Sequence, residues 1–231
     1  MISPHSAANR VIKRWPTTHS REWLSSFLDR VREDPNVVAV VVVGSAIRST
    51  VPSDDLDLVV ICRDRRLLRE KAPIEVDLRS FDADRIEEDV RRGQDLLTWS
   101  LRYGEPLYDP RGVWAHLAHR WKGCLPMPDV SVAKSRAETA RAQLEAMRAA
   151  GDDDAVIDLN VSYLTHLARA ALGEAGVFPA SRPELPDQLR GIGQADLAGR
   201  LDKALSARSA RRTRRTAVQQ GDPPAGASRR R

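Results

Sequence analysis

Three aspartates crowd into SDDLDLVVIC, residues 53–62, at Asp54, Asp55 and Asp57. Aspartate is depleted in strands, and carboxylates gathered this closely repel one another unless a cation neutralises them. The interleaved Leu56 and Leu58 and the VVIC run nevertheless read as a strand, Leu56 to Cys62. Along it Asp55 and Asp57 project from one face roughly 6.6 Å apart, with Leu56 and Leu58 turned to the core. Asp54 falls on the other face and reads as a capping or loop residue. A pair so placed suits two hard cations about 3.5–4 Å apart, the separation used in in-line phosphoryl displacement. A third acid is expected from the next strand, read as Ile74 to Phe81, where Ile74, Val76 and Leu78 alternate with Glu75, Asp77 and Arg79. Neighbouring strands lie about 4.8 Å apart. Asp77 is the expected third ligand, and Glu75 the alternative. Mg2+ is the expected metal, because it takes a few carboxylates together with phosphate oxygens and water.

Gly44 and Ser45 supply a second element. They end the continuous apolar run Val37 to Val43, which reads as a strand buried on both faces. A glycine there lets backbone approach a phosphate closely, and the following N–H groups and the Ser45 hydroxyl can donate to it. Arg48, one turn on, is placed to reach the outer phosphates.

Taken in order, the sequence offers an apolar strand, Gly44-Ser45, nine residues, Asp55-Leu56-Asp57-Leu58, and then a strand carrying Asp77. This resembles the DNA polymerase beta-like nucleotidyltransferase superfamily, and most closely its small bacterial and archaeal members, of the kanamycin nucleotidyltransferase or minimal nucleotidyltransferase kind. The resemblance is specific over roughly residues 37–80. Asp54 departs from it, standing where these proteins commonly have serine. The resemblance implies that Asp55, Asp57 and Asp77 hold two Mg2+ ions and that Gly44 and Ser45 hold a nucleoside triphosphate, ATP being the expected donor. It implies transfer of a nucleoside monophosphate to a hydroxyl with release of pyrophosphate, and Asp77 as general base. The implied fold is α+β: a nucleotidyltransferase domain with a short mixed sheet and flanking helices, followed by an all-α bundle.

The rest of the chain accommodates that plan. Trp23, Leu24, Phe27, Leu28 and Val31 recur at helical spacing behind a cap at Thr18 or Ser20. Helices are expected over 83–92 and 94–103, then a loop, GEPLYDP, and a short helix through Trp114 and His119. KGCLPMPD, residues 122–129, is the expected boundary. The expected domains are a catalytic unit over 1–121, a helical bundle over 129–207 and a disordered basic tail over 208–231. That tail holds eight arginines against one acid, Asp222, so it carries +7 of the net +5 and the remainder is −2. Nucleic acid contact through its arginines is a further expectation.

Cys62 and Cys124 match no zinc spacing and are too few for a disulfide framework. No apolar stretch is long enough to span a bilayer, and the first fifteen residues contain no apolar signal segment, so a cytoplasmic protein without membrane contact is expected. His116, His119 and His166 read as packed or surface residues. No P-loop is present. Two classes of function remain: nucleotidylation of a small-molecule or protein acceptor, and an antitoxin-like component that binds or nucleotidylates a partner toxin, a catalytically silent nucleotide-binding relative being the degenerate case. A homodimer is compatible with either.

Overall fold

A computed structural model describes the backbone of residues 4–48 and 55–219 and the side chains of 8–48 and 55–211. The chain divides into two compact units, Met1–Asp129 and Val130–Arg231. The architecture is α+β, with a small mixed sheet flanked by helices and a helical C-terminal part.

In the first unit, α1 (Pro4–Val11) and α2 (Thr18–Glu33) precede β1 (Val37–Val43). Then come β2 (Leu56–Cys62), β3 (Val76–Asp82), α3 (Ile86–Arg91), α4 (Asp95–Tyr103), β4 (Glu105–Tyr108) and α5 (Val113–Trp121). The strands lie in the order β3-β2-β1-β4. β1 is antiparallel to both of its neighbours, and β2 is parallel to β3. Alternation sends β1 and β2 side chains into two cores. Val40, Val42, Leu56, Leu58 and Val60 meet Leu24, Phe27 and Leu28 of α2 on one face, and Val41, Val43, Val59 and Ile61 meet Val90, Leu97 and Trp114 on the other. Burial on both faces explains why β1 is an unbroken apolar run and why β2 is apolar from Leu58 onward.

Several local expectations shift. Thr17, not Thr18 or Ser20, caps α2: its hydroxyl accepts from Ser20 N at 3.0 Å in a capping box. Ile74 is not a core residue but is fully exposed, at 104%. A turn closed by Val76 N donating to Pro73 O at 2.9 Å delays β3 by two residues. GEPLYDP, read as a loop from its glycine and prolines, contains β4, an edge strand, where Pro106 is tolerated.

The second unit is built from α6 (Val130–Ala150), α7 (Asp153–Glu174), α8 (Leu185–Gly191) and α9 (Ala195–Gln219), around Leu164, Leu172, Leu185, Leu189 and Leu201. A helix therefore occupies residues 208–219, where a disordered tail was expected to begin. Arg208 pairs with Asp158 at 3.0 Å, and Arg211 with Asp154 at 2.9 Å, so acids of α7 hold the arginines that composition alone assigned to solvent. Residues 220–231 lie outside the described residues. No helix among the described residues is long and apolar enough to cross a membrane.

Cys62 is completely buried in β2, while Cys124 is exposed. Burial, reinforced by the charges of Asp34, Asp82 and Asp64, pushes the Cys62 thiol up to about 12. Because the thiolate is the reactive form, iodoacetamide at pH 8 is expected to modify Cys124 alone in the native protein and both cysteines in guanidinium. Mass spectrometry of the alkylated chain checks this.

Candidate active site

β1 delivers the chain to Gly44, whose φ of 83° and ψ of −161° lie in a region essentially reserved for glycine. A 3-10 turn, Ser45–Ile47, follows, with Arg48 N donating to Ser45 O at 3.0 Å. The turn is pinned from behind: Lys13 N and Arg14 N donate to Ala46 O at 2.9 and 3.1 Å, and Ala46 is fully buried. Residues 49–54, including Asp54 and most of the expected loop, lie outside the described residues.

Asp57 stands at the start of β2, opposite Val43 on one side and Asp77 of β3 on the other. Its parity places it on the face of Val59 and Ile61, and Asp77 on the matching face of β3 with Phe81. In register on adjacent strands, the two residues are about 4.8 Å apart across the ladder. Gly44 lies against the same carboxylate: a Cβ built there would sit 2.2 Å from Asp57 Oδ2. Asp55 is half-buried one residue before β2. The sheet thus gathers Gly44, Asp57 and Asp77, with Ser45 and Asp55 adjacent in the chain.

Glu75, the alternative third acid, is engaged elsewhere. It precedes β3, and its carboxylate accepts from Thr17 Oγ1 at 2.6 Å. That hydrogen bond holds the Glu75 carboxyl below its ordinary 4.5, with His19 adding to the effect. A depressed folded-state value contributes stability above the unfolded value, and that stability is lost as pH falls through the folded one. Thr17→Ala is therefore expected to destabilise the protein by about 1 kcal/mol at pH 7 through the lost cap. The gap from wild type should narrow as pH drops below about 4.5, as urea melts across that range would register.

Two contacts at the site were not anticipated. Arg79 grips Asp77 with both arms of its fork, Nε to Oδ1 at 2.7 Å and Nη2 to Oδ2 at 3.1 Å. Both side chains are about half exposed, 63% and 47%, so the pair contributes little to stability. Arg48 lies over the ring of Tyr103 at 5.2 Å, and Tyr103 packs on Trp99 at 5.2 Å. Nothing in the sequence linked Trp99 and Tyr103 to Arg48. The end of α4 fits closely on β1, since a Cβ at Gly104 would meet Ser100 O at 2.6 Å and Val41 Cγ1 at 2.9 Å.

Carboxylate oxygens on a polar strand end suit a hard cation such as Mg2+ in kind. Their convergence is incomplete: among the described residues no three His, Cys, Asp or Glu side chains form a metal-holding group, and Asp77 is drawn to Arg79.

No family model matches the chain, and no curated protein matches it. Among solved structures it is similar to a nucleotidyltransferase-like protein from Exiguobacterium sibiricum, at 15% identity over 83% of this chain and 72% of that one, with a TM-score of 0.37. A superposition that loose decides neither fold nor activity.

Proposed function

We propose that the chain is a Mg2+-dependent nucleotidyltransferase. It would move a nucleoside monophosphate from a nucleoside triphosphate, with ATP the first candidate, to an acceptor hydroxyl and expel pyrophosphate. The observation that supports this best is the juxtaposition of Asp57 and Asp77 on parallel strands beside a glycine turn whose missing side chain leaves room for the Asp57 carboxylate. In this reading Asp55, Asp57 and Asp77 hold the metal, whose chemistry is to neutralise the triphosphate and stabilise charge at the α-phosphorus. Ser45 donates its hydroxyl and backbone N–H to the β- and γ-phosphates, and Gly44 allows their close approach. Arg48, steadied on Tyr103, meets the outer phosphates. Asp77, released from Arg79, takes the proton of the attacking hydroxyl. The acceptor oxygen bonds to the α-phosphorus as the bond to the bridging oxygen breaks, and the departing pair stays on pyrophosphate.

The Arg79–Asp77 ion pair favours one alternative, binding of nucleotide without turnover, because it occupies a carboxylate that transfer requires. Incubating the purified chain with each α-labelled nucleoside triphosphate, Mg2+ and a fractionated lysate separates the two. Label covalently attached to an acceptor, with stoichiometric pyrophosphate, supports transfer. Equilibrium binding of the triphosphate with no label transferred supports the silent reading, and no binding overturns both.

A further inference from the structure

The two edges of the sheet are finished differently. β4 is four residues long and carries Pro106, two features that keep an edge strand from recruiting another. β3, at the opposite edge, is seven residues long and contains no proline. Beside it Leu56 N donates to Glu75 O at 2.8 Å and Ala83 N to Cys62 O at 2.7 Å. In the parallel ladder between those bonds, the odd-numbered residues of β3 turn their N–H and C=O toward β2, and the even-numbered residues turn theirs outward. Val76 N is taken by Pro73 O, but the N–H and C=O of Leu78 and Ser80 have no partner among the described residues. Charge blunts an edge when it is of one sign. Here it comes as a self-matching pair, Asp77 and Arg79, two apart on one face and joined at 2.7 Å.

We propose that β3 is a self-association edge, pairing antiparallel with β3 of a second copy across a two-fold axis at Leu78. Such an axis makes the contact self-complementary, each residue finding in the other copy what its own partner finds in return. Leu78 then faces its counterpart and exchanges two hydrogen bonds with it, while Ser80 N of each copy donates to Val76 O of the other. Asp77 comes opposite Arg79 of the second copy and Arg79 opposite Asp77, and opposite charges so placed stabilise an antiparallel pair. An axis one residue further on would set the two arginines face to face, so charge selects the register. Continued beyond the strand, this register brings Ile74 of each copy to Asp82 of the other. Asp82 accepts from Arg65 N at 2.8 Å, at the start of the 3-10 turn Arg65–Leu67. Ile74 is 104% exposed and Leu67 61%, so two apolar residues that each copy leaves in water come to the same end of the contact. A contact of this extent belongs to the small, weak class of interfaces and depends on concentration. It goes beyond the transfer reading and does not require it.

Sedimentation equilibrium of the full chain over a rising concentration series tests this. The mass of the wild type is expected to climb from 25.7 kDa toward twice that value. Asp77→Arg and Arg79→Asp each set like charges opposite one another across the ladder, and each should associate roughly 10-fold or more weakly. An equimolar mixture of the two variants has opposite charges at every cross-strand position and should recover the association of the wild type. An ion pair confined to one copy cannot give that recovery, because mixing leaves each chain as it was. Ser80→Pro removes an outward donor without touching the ladder to β2 and should weaken association to a similar degree. Circular dichroism verifies that each variant is folded. A wild type that stays at the mass of one chain, a folded single variant that associates as tightly as the wild type, or a mixture without recovery would overturn the edge. The readout is mass and not activity, so failure of label transfer would remove the transferase reading and leave the edge standing.

Discussion

Asp57→Ala is expected to lower nucleotidyl transfer by roughly a thousandfold or more, since a metal-held charge at the reacting phosphate supplies several kcal/mol of transition-state stabilisation. The same change should leave thermal stability equal or slightly raised. Asp57 stands in register with Asp77 and a short step from Asp55, and removing one of several like charges relieves repulsion that a functional site tolerates at the expense of stability. The two effects having opposite signs makes the result diagnostic, because a variant that merely misfolds loses activity and stability together. Ligand linkage sharpens it: a metal that binds only the folded state stabilises by RT ln(1 + [L]/Kd), about 2.7 kcal/mol at a hundred times Kd. Mg2+ together with a triphosphate should therefore raise the melting temperature of the wild type and leave that of Asp57→Ala unmoved. A wild type indifferent to both would sink the metal assignment.

Much of the scaffold around that residue could be read from sequence, and for a physical reason. β1 and the part of β2 after Asp57 are buried on both faces, so each is an unbroken apolar run too short for a helix of that hydrophobicity. Alternation across β2 put Leu56 and Leu58 in the core, and both are buried there, at 0% and 1%. The periodic helices were equally visible, since each buries one stripe. β3 was harder. Its alternation extended back through Ile74 on paper, but pairing begins only where Pro73 has closed a turn, and alternation carries no information on where a ladder starts. β4 was hidden because an edge strand tolerates the glycine and proline that elsewhere signal a loop.

Of the candidate site, the residue types were legible and their mutual commitments were not. The neighbouring placement of Asp57 and Asp77 follows from strand adjacency, which the alternation of both strands suggested. The engagement of Glu75 by Thr17 spans 58 residues of sequence, and that of Arg48 by Tyr103 joins a loop to a helix end. Neither leaves a periodic trace, because each joins two side chains across elements and is not a property of either element alone. The α9 arginines illustrate the converse. A charge block that composition reads as solvated is structured at Arg208 and Arg211 because acids on α7 happen to face it.

Gly44→Ala should impair both folding and activity, and the cause can be separated into two parts. The first is conformational: φ of 83° with ψ of −161° is a backbone state that a residue with a Cβ reaches only at about 1–3 kcal/mol. The second is steric, since the added methyl would sit 2.2 Å from Asp57 Oδ2 and something must shift, at a further cost of about 1–3 kcal/mol. Only the second depends on Asp57. In the background of Asp57→Ala the alanine at 44 should therefore lose roughly half of its destabilisation, giving a coupling energy of about 1–3 kcal/mol in a double-mutant cycle. Activity should fall in Gly44→Ala far more than stability does, because a carboxylate displaced by about 1 Å can cost on the order of a hundredfold in rate. Urea melts of the four proteins measure the coupling, and pyrophosphate release measures the rate. Additive destabilisation would mean that Gly44 is required for its backbone conformation alone and that the turn does not seat the Asp57 carboxylate.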